Sequence, residues 1–384
     1  MDDRKRVLVV GSGPAGLATA AALVASGVPT TVFERGDAIG AAWAGRYDAL
    51  RFNTSRLNSA LPGAPFPRDF GQFPTRDQYV AYLQDYGGNR GLLVETRVEV
   101  TRIERTRDEW LVHTSKGERR TPHVVVATGI MNRPRVPEWA IESGFQGELI
   151  HSASYRNATP FVGHDVLVVG AGSSGLEIAH ELATRGARRV RLSVRNSPNI
   201  LLRVVGGLPS DLPAPLLLHL PTGLVDRMLL AMQRVVNGDL APYGLPRPAE
   251  GPISQLKRRG AGTAIVDTEV LDRIRDGTIE VVPAVARLDA QGARLVGGAH
   301  IEVDSVIVAA GYCPGLESLV GHLGVLDKDG MPRDGVASEQ TPGLHFVGYV
   351  YRPGLTRYVG RTARAVARRI SQETAELASV PSSD

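Results

Sequence analysis

Residues 7–16 read VLVVGSGPAG and residues 166–175 read VLVVGAGSSG, with seven of the ten positions identical. Each copy is an aliphatic, mostly β-branched run, then Gly-x-Gly-x-x-Gly, then an apolar helical pattern. The helical residues are Leu17, Ala20, Ala21 and Val24 in the first copy, and Leu176, Ala179, Leu182 and Ala183 in the second. A glycine (Gly27, Gly186) and a second strand pattern, PTTVF or RRVRLSV, follow. This is the βαβ unit of a parallel sheet with a phosphate-binding first turn. Gly11 and Gly170 are expected to make the tight turn, and Gly13 and Gly172 to let backbone approach a pyrophosphate. Gly16 and Gly175 are expected to let helix and strand pack closely. The helix N-termini, with Pro14 and Ala15 in one copy and Ser173 and Ser174 in the other, offer free N–H groups and a positive dipole end to phosphates. One copy alone also fits an ordinary helix-start turn; two in the same context do not.

The residues that close the two units differ. Glu34 lies 34 − 11 = 23 residues past the first glycine, where an acid accepts hydrogen bonds from ribose hydroxyls, as FAD or NAD requires. Arg35 and Trp43 are grouped with it. Arg195 lies 195 − 170 = 25 residues past the second copy's first glycine. A cation there suits the 2′-phosphate of NADPH, although an exposed surface arginine reads the same way. Two further strand patterns, HVVVATG and SVIVAAGY, stop at small residues (Thr128, Gly129; Ala310, Gly311) that leave room for backbone to cross the nucleotide sites. Gly348 ends a third, LHFVGY. The expected architecture is α/β with two Rossmann-like domains. A discontinuous first domain spans 1–150 and 304–384, and a second, inserted domain spans 156–303 with a helical excursion over about 203–250.

A length of 384 residues accommodates two such cores. The net charge of +4 with scattered basic residues argues against a nucleic-acid face. One cysteine, Cys313, excludes an intrachain disulfide, a CxxC redox pair and a cysteine-rich metal site, and it fits a reducing cytoplasm. No metal centre is marked by the sequence. MDDRKRVLVV is no signal peptide, and no apolar run reaches membrane-spanning length. The nearest is the Leu-rich stretch 212–232, broken by Pro213, Pro215, His219, Pro221, Asp226 and Arg227. It reads as a helical insertion packed on the body, with a peripheral membrane contact as the alternative.

Between the two turns lies FQGELIHSASYR, 145–156. Taken with GSGPAG and GAGSSG, it resembles the linker of the flavin-containing monooxygenases (class B flavoprotein monooxygenases), in which FxGxxxHxxx precedes an aromatic and a basic residue. Phe145, Gly147, His151, Tyr155 and Arg156 fit that pattern. The stretches 243–285 and 343–355 are similar to the plant YUCCA-type indole-3-pyruvate monooxygenases, and the resemblance covers nearly the whole chain. It implies FAD and NADPH as cofactors, O₂ and a small organic molecule as substrates, and oxygen transfer through a C4a-hydroperoxyflavin. An aryl-2-oxo acid such as indole-3-pyruvate is the implied substrate. An N- or S-oxygenating enzyme and an NAD(P)H-dependent flavoprotein reductase are the alternatives. The resemblance makes His151 and Tyr155 either active-site braces or a buried histidine and a packed tyrosine. It makes Asn53 a flavin-side hydrogen-bonding group or a turn cap, and Arg352 an anchor for an anionic substrate or a surface residue. The final helix, opened by Gly354 and Thr356, would aim its N-terminus at the flavin. The resemblance does not distinguish a monomer from a homodimer.

Overall fold

The computed structural model describes residues 6–107, 109–141, 144–217, 219–259, 263–334, 341–351 and 355–379. Ten strands build two five-stranded parallel sheets: β1 (Val7–Val10), β2 (Thr30–Glu34), β3 (Val94–Thr96), β4 (His123–Val126), β5 (Glu148–His151), β6 (Asp165–Val169), β7 (Arg189–Val194), β8 (Ile279–Pro283), β9 (Ser305–Val308) and β10 (Leu344–Phe346). The first sheet runs β10-β4-β1-β2-β3 and the second β8-β7-β6-β9-β5. β1 and β4, VLVV and HVVV, are buried along their whole length, as strands covered on both faces must be.

Helix α1 (Pro14–Ala25) and α2 (Ser173–Thr184) follow the two glycine turns. Pro14 sits in the first turn of α1, where its missing N–H costs nothing. α1 and the last helix, α5 (Leu355–Ser379), cover one face of the first sheet. Val359, Ala363, Val366 and Ile370 of α5 join Val7, Val9 and Val125 in one core. The other face packs on an antiparallel meander over 100–121 and on residues 316–325. The second sheet is covered by α2 and residues 264–274 on one side and by a meander over 285–302 on the other.

Hydrogen bonding revises the expected boundaries. β9 lies between β6 and β5, pairing Val166 with Ser305 and Ser305 with Glu148. The strand at 305–308 therefore belongs to the second sheet, not to a first unit resuming at 304, and the second sheet already begins at Glu148 rather than after 155. The reason is local. At Gly147 a Cβ would meet the Asp304 carbonyl at 2.3 Å, so the linker glycine lets β5 close onto β9.

The excursion carries a short hairpin (204–205 with 208–209) and the helix α3 (Thr222–Asn237), and α4 (Pro252–Arg259) follows it. Val225, Asp226 and Asn237 are buried, Asp226 accepting from Ile253 N and Ser254 of α4 and Asn237 donating to the Ile200 carbonyl, while Leu216, Leu224, Met228 and Val235 stay exposed. Among the described residues no helix is long and apolar enough to cross a membrane.

Candidate active site

Both glycine turns open onto one cleft of about 1600 Å³ between the two sheets. Their backbones are near copies. Gly11 and Gly170 adopt φ +103° and +114°, and a Cβ on either would press the carbonyl of Ala127 (2.9 Å) or Ala309 (2.5 Å). A Cβ on Gly16 or Gly175 would lie 1.8 Å from the carbonyl of Gly11 or Gly170. These four glycines are fixed by the protein itself. Gly13 and Gly172 are not: both are extended N-caps with φ of −74° and −78°, and a Cβ there meets nothing within 4 Å. Neither helix has a side-chain N-cap. The open space and uncapped N–H groups fit a pyrophosphate at each turn.

Around the first turn, Glu34 accepts from Ser12 N (3.0 Å) and Ser12 Oγ (2.6 Å) with one oxygen, and from Gly36 N (2.8 Å) with the other. The carboxylate thus ties its own loop, and its remaining lone pairs leave capacity for a ribose hydroxyl. Pro14, Ala15, Arg35, Trp43, Thr128, Gly129 and Gly348 line the same part of the cleft. Trp43 stacks on Phe52 with centroids 5.3 Å apart. Gly348, at φ +94°, leaves 3.1 Å between a would-be Cβ and Ala15, so the strand end can approach α1. Thr128 pairs with Tyr349, its N–H donating to Oη at 3.0 Å. Burial pushes the Tyr349 phenol up to about 12, against the opposing Thr128 bonds, so it stays neutral.

At the second turn Ser173, Ser174, Ala310 and Gly311 line the cleft, as does Arg195, which is exposed and has no carboxylate partner among the described residues. Asn53 reaches across from the first unit and donates to Ser173 Oγ at 3.2 Å. It therefore touches the second turn, beyond the turn-capping alternative.

His151 and Tyr155 do not line the cleft. His151 stands edge-on behind Tyr312 (5.2 Å), and its Nδ1 accepts from Ala153 N at 3.0 Å. Burial lowers its pKa, the Gly311 backbone opposing and Arg46 adding, so the ring is neutral. Tyr155 is packed in the second core, stacked on Phe161, with Oη donating to Glu181 at 3.1 Å. Its phenol pKa is raised by burial and by Glu181. Tyr155 is buried and His151 half-buried. Arg156 ties the linker to the first unit through the Gly45 carbonyl. Arg352 and Gly354 lie outside the described residues.

The structure adds a polar network that the sequence did not disclose. Arg203, 2 % exposed, donates to the Phe52 carbonyl (3.0 Å), to Glu177 and to Asp267, and reaches Asn53 Oδ1 at 3.4 Å. Glu177, on α2, accepts from Tyr47 of the first unit. Asp211 of the excursion accepts from Ser55 N (2.8 Å) and Asn58 Nδ2 (2.9 Å). Partners separated by 26 to 156 residues leave no local signature.

Residues 8–200 match the family model of the pyridine nucleotide-disulphide oxidoreductases. Indole-3-pyruvate monooxygenase YUCCA1 of Oryza sativa subsp. japonica is 36% identical over 357 residues, covering 90% of this chain and 86% of that protein. Probable indole-3-pyruvate monooxygenase YUCCA8 of Arabidopsis thaliana is 36% identical over 364 residues, covering 91% and 85%. Among solved structures, the flavin-containing monooxygenase of Stenotrophomonas maltophilia superposes with a TM-score of 0.74 at 24% identity, covering 97% of this chain and 99% of that one. An open cyclohexanone monooxygenase gives 0.72 at 16%, covering 96% and 88%. The structural likenesses bear on the fold; the sequence relatives, similar from end to end, bear on the family. The chain belongs to the class B flavin monooxygenases, enzymes that work with FAD and NADP(H).

Proposed function

We propose that the chain oxidatively decarboxylates an aryl-2-oxo acid, with indole-3-pyruvate as the first candidate. The observation that carries this is the similarity to the two plant enzymes over nine-tenths of the chain. In balanced form, R-CH₂-CO-COO⁻ + O₂ + NADPH + H⁺ gives R-CH₂-COO⁻ + CO₂ + H₂O + NADP⁺. FAD and NADPH supply hydride delivery and oxygen activation when bound. The first turn, with Gly13, Glu34, Arg35 and Trp43, would hold FAD, and the second, with Gly172, Ser173 and Arg195, would hold NADPH. Leu217, Val225, Leu229, Ile253 and Leu256 also line the cleft. Such residues suit an aryl group, and Lys257 in the same lining suits its carboxylate.

Enzyme, NADPH and indole-3-pyruvate under ¹⁸O₂ should give indole-3-acetate with one labelled oxygen, and CO₂ in step with NADPH. Labelled N- or S-oxide from an amine or thioether, with no labelled indole-3-acetate, overturns the oxo-acid reading and leaves the family intact.

Arg195→Ala should raise KM for NADPH about tenfold or more and leave NADH nearly unchanged, because only NADPH carries the phosphate a guanidinium would pair. Equal damage to both cofactors in steady-state assays would make the arginine structural.

A further inference from the structure

Far from the cleft, two buried imidazoles and a carboxylate converge. His345 lies opposite Val125 in the register of β10 with β4, and His123 lies two residues before Val125. Side chains two apart on a strand share a face, so both histidines project toward the side that α5 covers. His123 is 5 % and His345 1 % exposed, with ring centroids 5.9 Å apart. Glu373, one turn beyond the core residue Ile370 of α5, closes over them with Oε2 3.6 Å from His123 Nδ1. One donor atom from each of the three lies within 4.8 Å of the other two.

The His123 ring completes no hydrogen bond at either nitrogen. A buried polar group left so costs about 1–3 kcal/mol, which calls for a partner. The other Glu373 oxygen accepts from Arg369 Nε at 2.8 Å. That bond fixes the carboxylate with its free oxygen turned inward, as outer partners fix metal-binding carboxylates.

We propose that His123, His345 and Glu373 form a zinc-class divalent metal site that pins the last helix to the first sheet. Two imidazole nitrogens and one carboxylate oxygen suit zinc, whereas calcium and magnesium want all-oxygen shells. The near-complete burial of both imidazoles makes the role structural. The pinned helix reaches back to the cleft, where Thr356 and Val359 are lining residues, 373 − 356 = 17 residues or about 26 Å away.

FAD-loaded protein, stripped with a chelator, equilibrated with ZnCl₂ and desalted, should retain one zinc per chain by mass spectrometry. Its thermal midpoint should rise with zinc concentration. Glu373→Gln, at a partly exposed position, should weaken zinc binding about 100-fold with flavin content unchanged. His123→Asn should abolish it. His113→Asn, at an imidazole outside the cluster, should change nothing. No zinc uptake by the wild type, or uptake that Glu373→Gln leaves unaltered, would overturn the site.

Discussion

Arg203→Met is expected to destabilise the FAD-loaded protein by about 3–5 kcal/mol, because it leaves the buried Glu177 without its cation. Burial already raises the Glu177 pKa, with Arg203 the leading influence that holds it down. Without the guanidinium the carboxyl moves further up. The sign follows. A carboxyl whose folded pKa lies above its unfolded value disfavours folding once ionised. The deficit is therefore absent below the unfolded value and grows as pH rises through the folded one. The variant should approach the wild type at pH 5 and fall well short of it at pH 8. Thermal unfolding at the two pH values checks this, and adding Glu177→Gln should recover part of the loss. Equal midpoints for variant and wild type would show the network to be dispensable. Because Arg203 also reaches Asn53, which bonds Ser173, the variant should release more hydrogen peroxide per NADPH consumed.

The second large effect separates folding from cofactor binding within one turn. Gly16→Ala places a Cβ 1.8 Å from the Gly11 carbonyl, and that overlap between backbone and helix start has no soft side chain to yield. It should cost more than about 4 kcal/mol and give little folded protein. At Gly13 an added Cβ meets no protein atom and φ is ordinary, so Gly13→Val should fold, with the far-ultraviolet spectrum of the wild type. It should nonetheless emerge colourless, its isopropyl group standing where the pyrophosphate belongs. A yellow Gly13→Val protein with full flavin would mean that this turn does not hold FAD.

The two predictions differ in how far they were legible beforehand. The glycine turns, the strands before them and the apolar faces of α1, α2 and α5 were readable because their chemistry is local: spacing sets the turn, and period sets the buried face. The register of β9 was not. SVIV is a buried strand in either sheet, and its place shows only in its pairing with β6 and β5. His151 and Tyr155 were legible as a pattern but not as positions, since a motif does not say which side of Tyr312 the imidazole occupies. Arg203 and Glu177 looked like two more charges, and His123 and His345, 222 residues apart, like two isolated histidines. Long-range polar pairing leaves no periodicity to read.

The placement of β10 and α5 has a consequence for synthesis. The second sheet is complete within one continuous piece, from Glu148 to Val308. The first is not. β1 to β4 are finished by Val126, but the neighbour of β4 and the helix that covers Val7, Val9 and Val125 arrive only after residue 344. At about 5–20 residues per second, the 344 − 126 = 218 intervening residues keep that apolar face waiting for roughly 10–45 s on the ribosome. The later half of the molecule by position is thus the earlier one to mature. The first sheet's apolar face is closed only once β10 and α5 have been made.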